Sequence, residues 1–332
     1  MIAVPSSRSE PGAAEGATSS APAALLRAPA RLLPAARLAA LKPALDRLYA
    51  QFDHPDAAAD PVGFVRRYAD PADREIVAFC AAGLAFGRVA SVLASIGALL
   101  GAMGDRPATF VRRFDARRDG GMLEPLVHRW TRGADLVALM LVLQALLRAH
   151  GSLEACFAEG HGAGQVDVER ALERFSTLAR RIDVSAAYRR RAPRAGVHYF
   201  FPRPSTGSAC KRLNLFLRWM VRRDAVDPGG WTRVAPSALV VPLDTHVIRV
   251  GQCLCLTRYR SPGWRMAKEL TASLRLVDPA DPVKYDFALC HLGMMEACGF
   301  MRPERDARCP LRGVCRPAGR RPPASRAPSA RR

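Results

Sequence analysis

VVPLDTHVIRVG, residues 240–251, passes from an apolar run to Asp244, Thr245 and His246 in succession and then returns to apolar spacing. An Asp placed directly before residues that are apolar at three- and four-residue steps reads as a helix N-cap, since its carboxylate accepts hydrogen bonds from the first free N–H groups. The same placement could hold a catalytic carboxylate at a helix end, and the stretch alone leaves both readings open.

Working outward, helical periodicity dominates on both sides. It runs through ARLAALKPALDRLYAQF (36–52), REIVAFCAAGLAFGRVASVLASIGALL (74–100), ADLVALMLVLQALLRAH (134–150), VERALERFSTLARRID (168–183) and KRLNLFLRWMVRR (211–223). After THVIRVGQCLCL (245–256) it resumes in WRMAKELTASLRLV (264–277) and VKYDFALCHLGMMEA (283–297). Alternating strand patterns are scarce and no fixed repeat period stands out, so the expected fold is an all-α, multi-helix globule. Residues 1–35, rich in Ala, Pro, Ser and Gly, and the Arg/Pro tail 317–332 are expected to be disordered. Between them we expect an N-terminal helical region, 36–183, and a second one, 184–316.

Composition narrows the partner. The chain has 332 residues, 49% of them hydrophobic, and a formal net charge of +20. Such an excess normally meets a polyanion, with nucleic acid ahead of an acidic membrane surface. The last 17 residues hold six Arg and no acid, so the rest of the chain still carries +14. Only four lysines occur, Lys42, Lys211, Lys268 and Lys284. A position that needs an amine able to lose its proton cannot use Arg, which makes each of the four informative. The apolar stretch Ile76–Met103 is interrupted by Arg88 and predicts buried helices rather than a membrane span. The first 25 residues lack a secretory pattern and imply a reducing, cytoplasmic setting, where clustered cysteines more often mean metal or free thiols than disulfides.

Two segments flank the question of Asp244. Residues 204–208 (PSTGS) form a small-residue turn running into a helix near Lys211, and exposed N–H groups at such a turn suit an anion. Lys211 stands at the positive end of that helix beside Arg212, a setting that favours the neutral amine a nucleophile needs. Residues 184–210 interleave Arg with Tyr188, His198, Tyr199, Phe200 and Phe201, a mixture that suits phosphate contact with base stacking but equally describes a surface loop tucking its rings inward. Asp73 and Glu75 read as charges capping the start of their own helix, and His54, His128, His150 and His161 show no metal spacing.

On these residues a family resemblance can be stated. LDTHVIRVG (243–251) resembles the VDTHVxRV segment of the helix-hairpin-helix DNA glycosylases, the superfamily of endonuclease III and the 8-oxoguanine glycosylases, and MAKELTASLRLVDPADPVKYDFALCHLG (266–293) resembles the two helices that follow it. GSACKRLNLFLRWMVR (207–222) followed by PLDTHVIRV also resembles an uncharacterised conserved bacterial family. The 33-residue interval from Lys211 to Asp244 is closer to that of the archaeal 8-oxoguanine glycosylases than to endonuclease III.

The resemblance implies a base-excision glycosylase, with AP-lyase activity through a lysine Schiff base as an added expectation. Lys211 would be the nucleophile and Asp244 its partner. Gly207, Ser208, Arg212, His246 and Arg249 would contact DNA, and Tyr199, Phe200 and Trp231 would form the base pocket; Trp219 is a further candidate to stack on the flipped base, though it and Phe216, inside a periodic helix, read first as core. The expected partner is damaged duplex DNA, with RNA left open, no membrane, and a monomeric chain associated with the nucleoid. No cofactor is required, but Cys298, Cys309 and Cys315, with Cys290 or Asp306 as a fourth ligand, resemble the terminal cluster loop of endonuclease III and leave a 4Fe–4S cluster or zinc open. Two departures are plain in the sequence: three residues, not one, separate Gly207 from Lys211, and Asp306 stands where that loop would have a cysteine. The competing expectations are a non-catalytic nucleic-acid-binding protein on the same scaffold, or an RNA-directed or nuclease activity.

Overall fold

The apolar run 74–100 does not make one helix. It breaks at Gly87, whose φ of 112° lies in a region that glycine adopts without steric cost, and the chain turns a corner there. In the computed structural model, which describes residues 31–54, 60–162, 164–188, 196–295 and 309–315, thirteen α-helices follow in order. They are α1 (Ala35–Phe52), α2 (Val62–Arg66), α3 (Pro71–Leu84), α4 (Val89–Met103), α5 (Pro107–Arg113), α6 (Gly120–Leu123), α7 (Gly133–His150), α8 (Leu153–Ala158), α9 (Glu169–Arg181), α10 (Lys211–Val221), α11 (Thr245–Cys253), α12 (Trp264–Val277) and α13 (Asp286–Met294). Among the described residues there is no β-strand, so the all-α expectation holds.

Helix α3 lies at the centre. Asp70 caps it by accepting from the amides of Ala72 and Asp73, Pro71 supplies the first helical φ, and the whole stretch from Glu75 to Leu84 is buried. A helix apolar on every side must be enclosed. It packs against α2, α4, α5 and α10, while α1 lies on α12 and α13. The two helical regions read from the sequence therefore touch through α3–α10 and α1–α12/α13, and their buried residues form one continuous cluster. Helix α7 is long and apolar enough to cross a bilayer, but it packs within the fold against α5, α6 and α8.

Asp73 and Glu75 do cap helices, though not their own. Asp73 accepts from the amide of Ala108 in α5 at 2.8 Å, and Glu75 accepts from the amides of Leu153 and Glu154 at the start of α8, both at 2.8 Å. Acids on the central helix thus fix the entry of two short helices that the sequence pattern is too brief to announce. The expected disordered tails fall outside the described residues except at 31–35, where the chain enters α1.

Candidate active site

The starts of α10 and α11 converge on one cavity. Asp244 caps α11: its Oδ1 accepts from the amides of His246 at 2.7 Å and Val247 at 3.1 Å. That fixes the carboxylate and leaves Oδ2 facing the Lys211 Nζ at 3.6 Å. Lys211 is the first residue of α10, and Cys210 before it holds a left-handed backbone with φ of 49°. Such a conformation is costly for a residue with a Cβ, and strain of this kind gathers where a side chain must be aimed. The two residues 33 positions apart in sequence therefore meet, and both line a cavity of about 200 Å³.

The other three lysines differ from Lys211. Lys268 bridges Asp167 and Glu169, while Lys42 and Lys284 share Asp46 and Asp278. Each therefore has two carboxylates. Among the described residues Lys211 has one carboxylate partner, at 3.6 Å, inside a pocket.

The cavity wall is largely apolar and aromatic: Phe86, Leu215, Trp219, Phe287 and Met294 face it. Its polar floor is Arg218 with Asp286. Asp286 Oδ2 accepts from Arg218 Nη1 at 2.7 Å, and Oδ1 is buried without a hydrogen-bond partner. Burial pushes the Asp286 carboxyl up to about 6 against the pull of Arg218, with Asp244 and Asp227 adding to the rise. Burial likewise drives the Cys290 thiol, on the same wall, well above its ordinary value, so it stays protonated. His246 also lines the cavity, and its buried Nδ1 lacks a partner. Its place depends on Gly293: a Cβ there would come within 2.6 Å of the His246 Cβ, so only glycine lets α13 lie this close to α11.

Several expected site residues lie elsewhere. Trp231 is a core residue, packed on Phe157 and Phe216 with its Nε1 donating to Glu75 Oε1 at 2.9 Å, and it does not line the cavity. Phe200 is buried beneath Gly83, where a Cβ would strike its ring at 2.6 Å. Both corrections have one cause: the rings bury more apolar surface in the core than a pocket wall would allow. Trp219 is fully buried, as its helical periodicity predicts, and also faces the cavity, whereas Phe216 is core alone. Tyr199 is exposed and outside the lining.

The expected DNA contacts also separate. Arg212 directs its guanidinium to the carbonyls of Gly83 and Tyr199 and lies over the rings of Phe86 and Phe200, so it ties α10 to α3 rather than reaching outward. Burial brings its pKa down to about 10. In the small-residue turn, Ser205 gives its amide and hydroxyl to Glu173, and the amides of Thr206, Gly207 and Cys210 bond within the turn. The Gly207 carbonyl receives the amide of Trp264, docking the turn on α12. Those donors are thus engaged, which removes most of the anion nest the turn was expected to form. Arg249 is half-buried on α11, outside the cavity lining.

For the metal expectation, Cys298 and Asp306 lie outside the described residues. Cys309 and Cys315 are buried, Cys315 is felt electrostatically by Cys255, and Cys290 belongs to the cavity instead. Among the described residues no three donors gather to hold a metal.

Phe86, Arg218 and Asp286 are site residues that the sequence reading missed. Asp286 opens a helix much as Asp244 does, and an acid at a predicted helix start was the available signal. Against known families, residues 60–295 match the model described as "Protein of unknown function (DUF2400)". No curated protein and no solved structure matches the chain.

Proposed function

The chain belongs to this family of unknown function, and from its cavity we propose that it is a DNA base-excision glycosylase acting through Lys211 with Asp244 as partner. The observation that carries the reading is the Lys211 Nζ, 3.6 Å from an Asp244 oxygen left free by the helix cap, at the wall of an aromatic cavity. The resemblance of residues 243–251 and 266–293 to helix-hairpin-helix glycosylases supports it, as does a net charge of +20 suited to a polyanion.

A base inside a duplex stack presents no reachable C1′, so the damaged nucleotide must swing out into the cavity. Asp244 accepts the ammonium proton, and the Lys211 amine attacks C1′. The C1′–N bond to the base breaks, the base leaving with the bonding pair and gaining a proton. Opening of the sugar ring with loss of a proton from nitrogen gives a C1′=N Schiff base. Removal of a C2′ proton then expels the 3′ phosphate, which is the lyase step. The Asp244 carboxylate, restored as its proton passes to the departing base, stabilises the positive charge developing on the sugar.

Borohydride trapping on a panel of damaged duplexes tests this. A covalent adduct formed by the wild type and lost in both Lys211→Ala and Lys211→Gln is the expected result. Tight binding with no adduct would favour the non-catalytic nucleic-acid-binding reading, in which Lys211 and Asp244 are only an ion pair.

A further inference from the structure

Beside the cavity, residues 128–131 make a two-residue hairpin turn. His128 and Thr131 exchange both backbone hydrogen bonds, at 3.0 and 2.9 Å, which leaves Arg129 and Trp130 alone at the tip. The base of the turn is anchored: His128 is buried, with Nδ1 on the Ser95 Oγ and Nε2 on the Phe86 carbonyl, both at 2.9 Å, and Thr131 is buried as well. The tip is strained, since Arg129 takes a φ of 54° where such turns favour Gly or Asn. The absence of a side chain at Gly87 helps admit it, because a Cβ there would press the Arg129 side chain at 3.2 Å.

The turn sends a large ring outward. Trp130 is 51% exposed, whereas the other three tryptophans, Trp219, Trp231 and Trp264, are at most 6% exposed. One side of Trp130 stacks on Phe86 with centroids 4.6 Å apart and planes at 26°, and Phe86 is a wall of the Lys211 cavity. Tyr199, 59% exposed, stands 6.2 Å from Trp130 on the rim. The basic residues around the tip, Arg88, Arg129 and Arg132, are exposed, and among the described residues none of them is ion-paired with a carboxylate. Arg129 lies over the Trp130 ring at 5.5 Å.

An exposed indole beside unpaired guanidinium groups matches the two faces of a nucleic-acid strand, the π-surface of a base and the phosphate next to it. We propose that the Arg129–Trp130 turn is a nucleic-acid contact at the mouth of the cavity, with Trp130 stacking on an unstacked base and Arg129 meeting the neighbouring phosphate. This inference rests on the nucleic-acid reading of the Lys211 site. The strain at Arg129 is retained because it fixes the direction of the indole, and Phe86 makes the stack continuous from the rim to the cavity.

The test uses the full-length protein and a short DNA duplex carrying one unpaired, abasic-opposed nucleotide, with the intact duplex beside it. Because Trp130 is the exposed tryptophan, DNA should quench the solvent-accessible part of the emission in the wild type and leave that of Trp130→Phe unchanged. Trp130→Ala should weaken binding to the duplex with the unpaired nucleotide by roughly tenfold, in line with the loss of one base–aromatic stack. Arg129→Gln should lower the salt dependence of binding by about one phosphate contact. If the wild type binds DNA and forms the Lys211 adduct while both Trp130 variants bind as tightly as it does, this inference alone is overturned. If the wild type binds no DNA at all, the nucleic-acid reading falls with it. Concentration-dependent protection of Trp130 without DNA would mean that a second copy of the chain covers it, which also overturns the proposal.

Discussion

The two ends of α10 treat charge in opposite ways. Toward its end, Arg218 contacts Asp227 at 3.0 Å and Asp286 at 2.7 Å, and Arg222 contacts Asp227, Asp224 and Asp281, all around a buried Asp227. At its start, Lys211 has a single carboxylate at 3.6 Å and stays partly open to the cavity. The lesson is in the saturation. A buried charge without an opposite partner would carry a desolvation cost of several kcal/mol, so several carboxylates around both arginines are what this helix end needs to be enclosed at all. A solvated, singly paired lysine needs no such partner set and is left able to react.

The contrast can be broken at either end. Lys211→Ala should have the largest effect on chemistry, removing the trapped adduct and lowering excision by about a thousandfold or more, while the thermal midpoint stays within a few degrees of wild type. Arg218→Met should instead act first on stability, with denaturant titration showing a loss of about 3–5 kcal/mol because Asp227 and Asp286 are left buried without their main cation. If Arg218→Met proved as stable as wild type but inactive, the assignment of the two ends would have to be exchanged.

Asp244 joins both roles and can be divided. Asparagine caps a helix about as well as aspartate, so Asp244→Asn should keep stability yet lower excision by roughly a hundredfold; Asp244→Ala should add a cap loss of about 1 kcal/mol. Equal stability of the Asn and Ala variants would mean that the cap contributes nothing measurable.

Asp286 sharpens the comparison through pH. Its folded carboxyl titrates near 6, above the ordinary 3.8, so the folded state binds the proton more tightly than the unfolded chain does. The stabilisation is fully present below about pH 4 and is lost as pH rises through about 6. Taken alone, Asp286 should make the protein less stable at pH 7 than at pH 5 by about 1–2 kcal/mol, a slope that Asp286→Asn removes in paired denaturation curves. The smallest effect on chemistry should come from Trp231→Phe, which takes one hydrogen bond from the buried Glu75 and should lower stability by about 1 kcal/mol without changing adduct formation. A loss of adduct there would return Trp231 to the site.

Much of the site was legible because its two principal residues carry local signals. Asp244 sits where a helix must begin, and Lys211 is one of four lysines in an arginine-rich chain. Those signals survive without tertiary information because capping and residue chemistry are local. The aromatic assignments failed for the opposite reason: nothing in a sequence distinguishes a ring that faces a cavity from one that fills a core. Trp231 and Phe200 fill the core for this reason, while Phe86 faces the cavity. Arg212 was misplaced because an exposed-looking arginine beside a turn gives no warning that two carbonyls will claim it.

By itself, then, the sequence determined the all-helical class, the long helices α1, α7, α9, α10 and α12 to within a few residues, and the cap at Asp244, since periodicity and capping act over one or two turns. Tertiary structure alone decided that Lys211 and Asp244 meet, that Asp286 lies beneath them against Arg218, and that the Arg129–Trp130 tip rises beside the cavity. Those facts depend on how α3, α10, α11 and α13 pack, and on a glycine at 293 that lets two helices approach. Packing over such distances is set by the whole core, and no short segment carries it.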